Sequence, residues 1–230
     1  MNPRAVLSVL AALLAFGLAP ARATDEHTYG KDEYAVIRDG LSPDKKMSLA
    51  SHGDGDGGDE NFHVWLMAEP THRKLMRLPG IGPDGILDTG PNAYHAFWSA
   101  DSQYVAVTYR SERHVVELNL YEVEGRRARL MSGPSLFKDV TSRETARGDD
   151  VRRSVPEFEW KGTRRFLLKE RRLFVTSNAG FASMLGLYGR IGDKRDDGSF
   201  FVEFSAEADC VLISGNRYRI IDLRIGKFGE

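Results

Sequence analysis

Only one cysteine, Cys210, occurs in 230 residues. No intramolecular disulfide is possible, so a packed core must hold the fold. Set within Asp209-Cys-Val-Leu-Ile-Ser214, this cysteine reads as a buried strand residue, because a free thiol packs as a small hydrophobe. Excess charge of one sign is also missing, with 32 basic against 33 acidic side chains. Bulk electrostatics therefore demand neither a nucleic acid nor a lipid surface as partner. After residue 18 no apolar run approaches the roughly 20 residues of a membrane span. Motifs of known chemistry are lacking too. The chain has no nucleophile elbow, no P-loop, no H-E-x-x-H and no G-x-G-x-x-G opening a helix.

What remains is an ordinary globular composition, 41% hydrophobic and 28% charged. Residues 1–23 read as a secretory signal peptide. Arg4 supplies the positive start, Ala5 to Leu18 the apolar stretch, and Ala21-Arg-Ala23 the cleavage site before Thr24. The expected location is periplasmic or extracellular. Residues 24–33 form a polar arm, expected to be loose. A single domain is expected over 34–230.

Short runs of alternating hydrophobicity, separated by turn residues, fill that domain and predict an all-β fold. Strands are expected at Tyr34–Ile37, Met47–Ala50, Phe62–Met67, Lys74–Leu78, Val115–Tyr121 and Ala128–Met131. Further strands are expected at Glu157–Trp160, Arg165–Lys169, Arg172–Thr176, Met184–Tyr188, Phe200–Phe204, Asp209–Ser214 and Tyr218–Leu223. One short helix is expected within Phe137–Arg147, and a charged link over 189–198. The best-formed unit is His95 to Tyr109. A strand ending in Trp98 meets a polar turn, Ser99-Ala-Asp101-Ser102, expected to be exposed. In the strand that follows, Val105 and Val107 share one face, and Tyr104, Ala106 and Thr108 the other.

Four stretches align on that turn: Leu41-Ser-Pro-Asp44, Trp98-Ser-Ala-Asp101, Trp160-Lys-Gly-Thr163 and Phe204-Ser-Ala-Glu207. Their spacings are 57, 62 and 44 residues, near the roughly 40–50 of a propeller blade. Trp98-Ser-Ala-Asp101-Ser-Gln-Tyr-Val-Ala-Val107 resembles the W-S-P-D-G-x-x-I-A-F signature of TolB-like, WD40-like β-propellers. Leu41-Ser-Pro-Asp44 carries its S-P-D core. Ala100 replaces the proline, and Lys45 and Ser102 stand where the pattern has glycine. The resemblance implies a β-propeller-like array of about four blades. The alternative is a β-sandwich or β-meander.

Candidate ligand sites are sparse. Asp54, Asp56, Asp59 and Glu60 lie in a glycine-rich stretch and offer oxygens to calcium, but the EF-hand order fails at Asp59 and Trp65. Asp54, Asp56 and Asp59 thus make a weak calcium candidate; no other cofactor is expected. The six histidines show no ligand spacing. Lys161–Arg172 holds six basic residues among apolar ones, read as an ion-paired strand face. Propellers of the resembling type serve as binding platforms as often as enzymes. The expectation is an exported, non-catalytic binding or assembly protein whose partner is another envelope protein or a cell-envelope polymer. The alternative is a secreted hydrolase with its site at one end of the propeller.

Overall fold

A computed structural model describes residues 24–53, 61–131, 134–143, 150–213 and 217–226. The chain is all-β. Thirteen strands join into one open, mixed sheet in which nearly every neighbouring pair is antiparallel. They fall into three consecutive units. The first is a meander of β1 (Ala35–Leu41), β2 (Met47–His52), β3 (His63–Ala68) and β4 (Arg73–Arg77). The second is a meander of β5 (His95–Trp98), β6 (Tyr104–Glu112), β7 (Val115–Glu124) and β8 (Arg127–Leu130). The third contains β9 (Asp150–Trp160), β10 (Arg165–Thr176), β11 (Gly189–Lys194), β12 (Phe200–Ile213) and β13 (Arg217–Ile225). Single parallel contacts stitch the units together, Arg38 of β1 to His95 of β5 and Val115 of β7 to Ser154 of β9.

The first two units share one turn, bond for bond. Ser42 donates its amide to the Met47 carbonyl at 2.9 Å, and Ser99 does so to Tyr104 at 2.8 Å. Ser42 Oγ donates to Asp44 Oδ1 at 2.8 Å, and Ser99 Oγ to Asp101 Oδ1 at 2.6 Å. Each aspartate also accepts the amide two residues on, from Lys46 and from Gln103. Lys45 and Ser102 stand at φ 57° and 60°, the left-handed conformation that explains a glycine in the aligned pattern. The turns also touch, since the Asp44 amide donates to Ser102 Oγ at 3.2 Å. Ser99 and Ser102 are therefore buried, against the expectation of an exposed turn; Ala100, Asp101 and Gln103 face water.

A second repeated device links each unit to the one before. The Trp98 indole donates to the Gly40 carbonyl at 3.1 Å, and the Trp160 indole to the Phe97 carbonyl at 2.8 Å. Gly40 sits where a Cβ would lie 2.6 Å from the Leu49 carbonyl oxygen, so no larger residue fits there.

Two cores meet at β6. Val105, Val107 and Tyr109 pack with Leu49, Val64, Leu66 and Tyr94 in the first. Tyr104 and Ala106 pack with Phe158, Phe166, Phe174 and Phe204 in the second. The alternation read for this strand is borne out, and Trp98 lies half-buried against the first core. Cys210 is fully buried in the second core, as expected.

The third unit departs most from the sequence reading. Arg165–Lys169 and Arg172–Thr176 are one twelve-residue strand, β10, and not two. Phe204-Ser-Ala-Glu207 is no turn. It lies inside the fourteen-residue β12, paired with β10 on one side. Met184–Tyr188 is no strand either. Its first three residues end a helix, Ala179–Gly186, capped by Asn178, whose side chain accepts the Phe181 amide at 3.0 Å, and Leu187 and Tyr188 lie in the turn that follows. That helix is α2; α1 is Leu136–Thr141, beginning one residue before the range in which a helix was expected. The link at 189–198 contains β11. The strand order ends at β4 and β11, which do not pair, so no closed ring of blades is formed among the described residues. The polar arm is anchored. Tyr29 is buried, donates to Ser51 Oγ at 2.8 Å or the Thr89 carbonyl at 2.6 Å, and the Asp25 amide donates to Asp88 at 2.7 Å.

Candidate functional site

The residues flagged in the sequence do not gather. Asp54, Asp56 and Asp59 lie outside the described residues, as do residues 1–23, where a signal peptide was expected. His95 meets Asp39 at 2.7 Å, His27 meets Glu33 at 2.8 Å, and His72 meets Glu69 at 3.2 Å. His52 contacts the Glu33 carbonyl at 2.6 Å and stacks on Tyr34. Burial, with Arg77 nearby, holds the His63 imidazole below its ordinary pKa. Among the described residues no three His, Cys, Asp or Glu side chains are placed to hold a metal.

Lys161–Arg172 divides by strand parity. Lys161 pairs with Glu159 at 2.7 Å and Lys169 with Glu207 at 3.3 Å on one face. On the other, Glu170 is buried, accepts the Phe137 amide at 3.1 Å, and pairs with Arg172 at 2.5 Å. The Arg172 guanidinium lies 4.8 Å over the Phe137 ring. Glu170, held by Arg172, thus anchors α1 to the sheet through its charge-assisted bond to the Phe137 amide. The ion-paired reading of this stretch holds for these residues.

Beside them, on the outer face of β9, β10 and β12, runs a polar cleft lined by Glu157, Lys169, Arg171, Ser205 and Glu207. Both carboxylate oxygens of Glu207 are engaged, one by Lys169 and the other by Arg224. The Ser205 hydroxyl is buried without a hydrogen-bond partner.

The other feature of this unit is its edge. β12 is paired along its second side by β11 at its start and β13 at its end. The far side of β13 pairs with no described strand. Alternate residues of this nine-residue strand thus present their backbone donors and acceptors in an open row. Ile221 and Ile225 on it are 51% and 41% exposed. A groove lined by Asp139, Arg217, Tyr218 and Ile220 runs between α1 and this strand. Its floor is fixed: Tyr218 donates to Asp139 and accepts the Ser135 amide at 3.3 Å. Burial first, then the Asp139 carboxylate, raises the Tyr218 phenol above its ordinary value, so it stays a neutral donor.

Sequence reasoning found β13 as a strand but missed its free edge. Edge position depends on which strand β12 takes as its other neighbour, a contact between β10 and β12 across a distance no local pattern encodes. The isoleucines were a signal, since exposed apolar residues on a strand face need a cover. A scan against family models finds no match to this chain, and no curated protein matches it.

Proposed function

We propose that the protein is an exported, non-catalytic binding or assembly protein built on degenerate TolB-like repeats. It takes hold of its partner through the free edge of β13. The observation that carries this reading is the nine-residue open edge with exposed Ile221 and Ile225, set beside the α1 groove. Strand addition to such an edge satisfies the backbone row of both partners and seats alternate side chains in the flanking groove. The edge favours a protein, which has a strand to add, over a cell-envelope polymer. Export rests on the order Arg4, apolar run, Ala21-Arg-Ala23. The shared Ser-x-Asp turn supports a common origin for the first two units, and the repeated indole bond extends the likeness from the second unit to the third.

A photo-crosslinking amino acid in place of Ile221 tests this in the exported fraction, with the same group at exposed Glu124 as control. One discrete adduct is expected from position 221 and none of that mass from 124. Equal, diffuse labelling at both positions would overturn the reading.

A further inference from the structure

Two open edges of the sheet, β4 and β13, are protected differently. β4 is five residues long and carries Arg73, Lys74 and Arg77, the basic side chains that keep an edge from pairing. β13 is nine residues long and exposes two isoleucines. Its partner pairing fixes where its side chains go. Leu223 opposes Ala208 and Ile225 opposes Ala206, both on the face that carries the second core. The register slips between Asp209 and Cys210, so Ile221 is the extra residue of a bulge and stays in phase with Leu223 and Ile225. Asp222 and Arg224 point to the opposite face, where they are 64% and 52% exposed.

That order is self-complementary. Two copies of β13 laid antiparallel about a twofold axis at Leu223 place Asp222 opposite Arg224 of the partner subunit, and Arg224 opposite Asp222 of the partner subunit. The same register sets Ile221 against the partner's Ile225, twice, on the other face. Moving the axis one residue either way puts Asp222 against its own copy or Arg224 against its own copy, and like charges directly opposite are unfavourable. Moving it two residues toward Ile221 leaves Asp222 opposite Ile220 and loses both ion pairs. One register alone satisfies charge and apolar residues together, and an isologous contact of this kind closes at two copies.

Resting on the reading of β13 as the binding edge, we infer that its partner is a second copy of this chain, joined through Ile221–Ile225 in that register. Five paired residues per chain make a small contact, so the dimer is expected to be weak and concentration-dependent. Burial of Ile221 and Ile225 and pairing of the open backbone row supply the attraction; the alternating charges choose the register.

Sedimentation equilibrium of the processed, exported chain is the test. The weight-average mass is expected to climb from one chain mass toward two between about 10 µM and 1 mM. Asp222→Arg alone and Arg224→Asp alone are each expected to stay at one chain mass. Mixed in equal amounts they are expected to recover the dimer, because each arginine of one then faces an aspartate of the other. Arg224 also contacts Glu207, so Ile221→Lys, at the bulge residue that opposes no residue of β12, serves as a second variant that also abolishes the dimer. A folded wild-type chain that keeps one chain mass at 1 mM, variants that dimerise like wild type, or a mixture that fails to recover would each overturn the inference. A monomeric chain that still gives a crosslink of heterologous mass at position 221 would sink the self-pairing and leave the binding edge standing. The absence of any crosslink at position 221, to a second copy or to another protein, would remove the binding edge itself.

Discussion

His63 shows what a single residue contributes beyond its place in a pattern. It opens β3, half-buried, opposite His52 and beside Trp65. Burial is the larger cause that disfavours its protonated form, and Arg77 adds to it. Its folded pKa is therefore depressed below the unfolded value of about 6.5. As pH falls through about 6.5, the unfolded chain takes up a proton that the folded chain resists, so stability falls. Above that value the contribution is fully present. The urea midpoint is expected to drop between pH 7 and about 5.5, and His63→Gln to flatten that part of the curve. Equal slopes for both chains would show that His63 carries none of it. Sequence alone placed this residue in or beside a strand, which is correct. It gave no hint of the environment, because Arg77 arrives through the β3–β4 pairing and Ile81 through a loop.

At the scale of elements, the turns were the most legible part of the chain. Ser, Asp and the two-residue spacing between them bond their own backbone, so a local sequence suffices to specify the geometry at 42–47 and 99–104. Removing the carboxylate leaves one amide and one hydroxyl without their acceptor in each turn. Asp44→Ala and Asp101→Ala are each expected to cost roughly 1 kcal/mol by urea denaturation, with Asp101→Asn closer to wild type. A cost near zero for both would mean that solvent replaces the carboxylate without penalty. The same local pattern misled at Phe204-Ser-Ala-Glu207. There the period-two run Phe204, Ala206, Ala208, Cys210, Leu212 continues unbroken into the second core, and β10 pairs it throughout. Tertiary pairing decided between a turn and a strand that Ser-Ala permits equally. Helix α2 was missed for a related reason. Its eight residues make little more than two turns, too few for a period to show, and the signal that fixes its start is the Asn178 cap.

For the whole molecule, the decisive feature is that the two cores are not separable. Residues Tyr104 to Val107 are all buried, with alternate side chains given to opposite cores. Strand β7 repeats the arrangement, Leu118 and Leu120 on one side, Tyr121 and Val123 on the other. Unfolding either core strips one face of both strands and exposes large apolar areas, at about 25 cal/mol per Å². Separate melting of the units would leave β6 and β7 half-solvated, so a single cooperative transition is expected. Cys210 and the tryptophans provide independent probes. Cys210 lies in the second core with its thiol pushed up to about 12, by burial first and then by Asp139 and Asp209, so it is unreactive while that core stands. Trp160 packs on the second core, so in a Trp160→Phe background Trp65 and Trp98 alone report on the first unit and its junction with the second. Thiol labelling and tryptophan fluorescence are expected to trace the same urea midpoint. Val107→Ala, a change in the first core alone, is expected to shift both midpoints together by roughly 1–3 kcal/mol. Labelling of Cys210 at urea concentrations where the fluorescence is still native would show that the third unit opens by itself, and that β6 does not tie the cores into one cooperative structure.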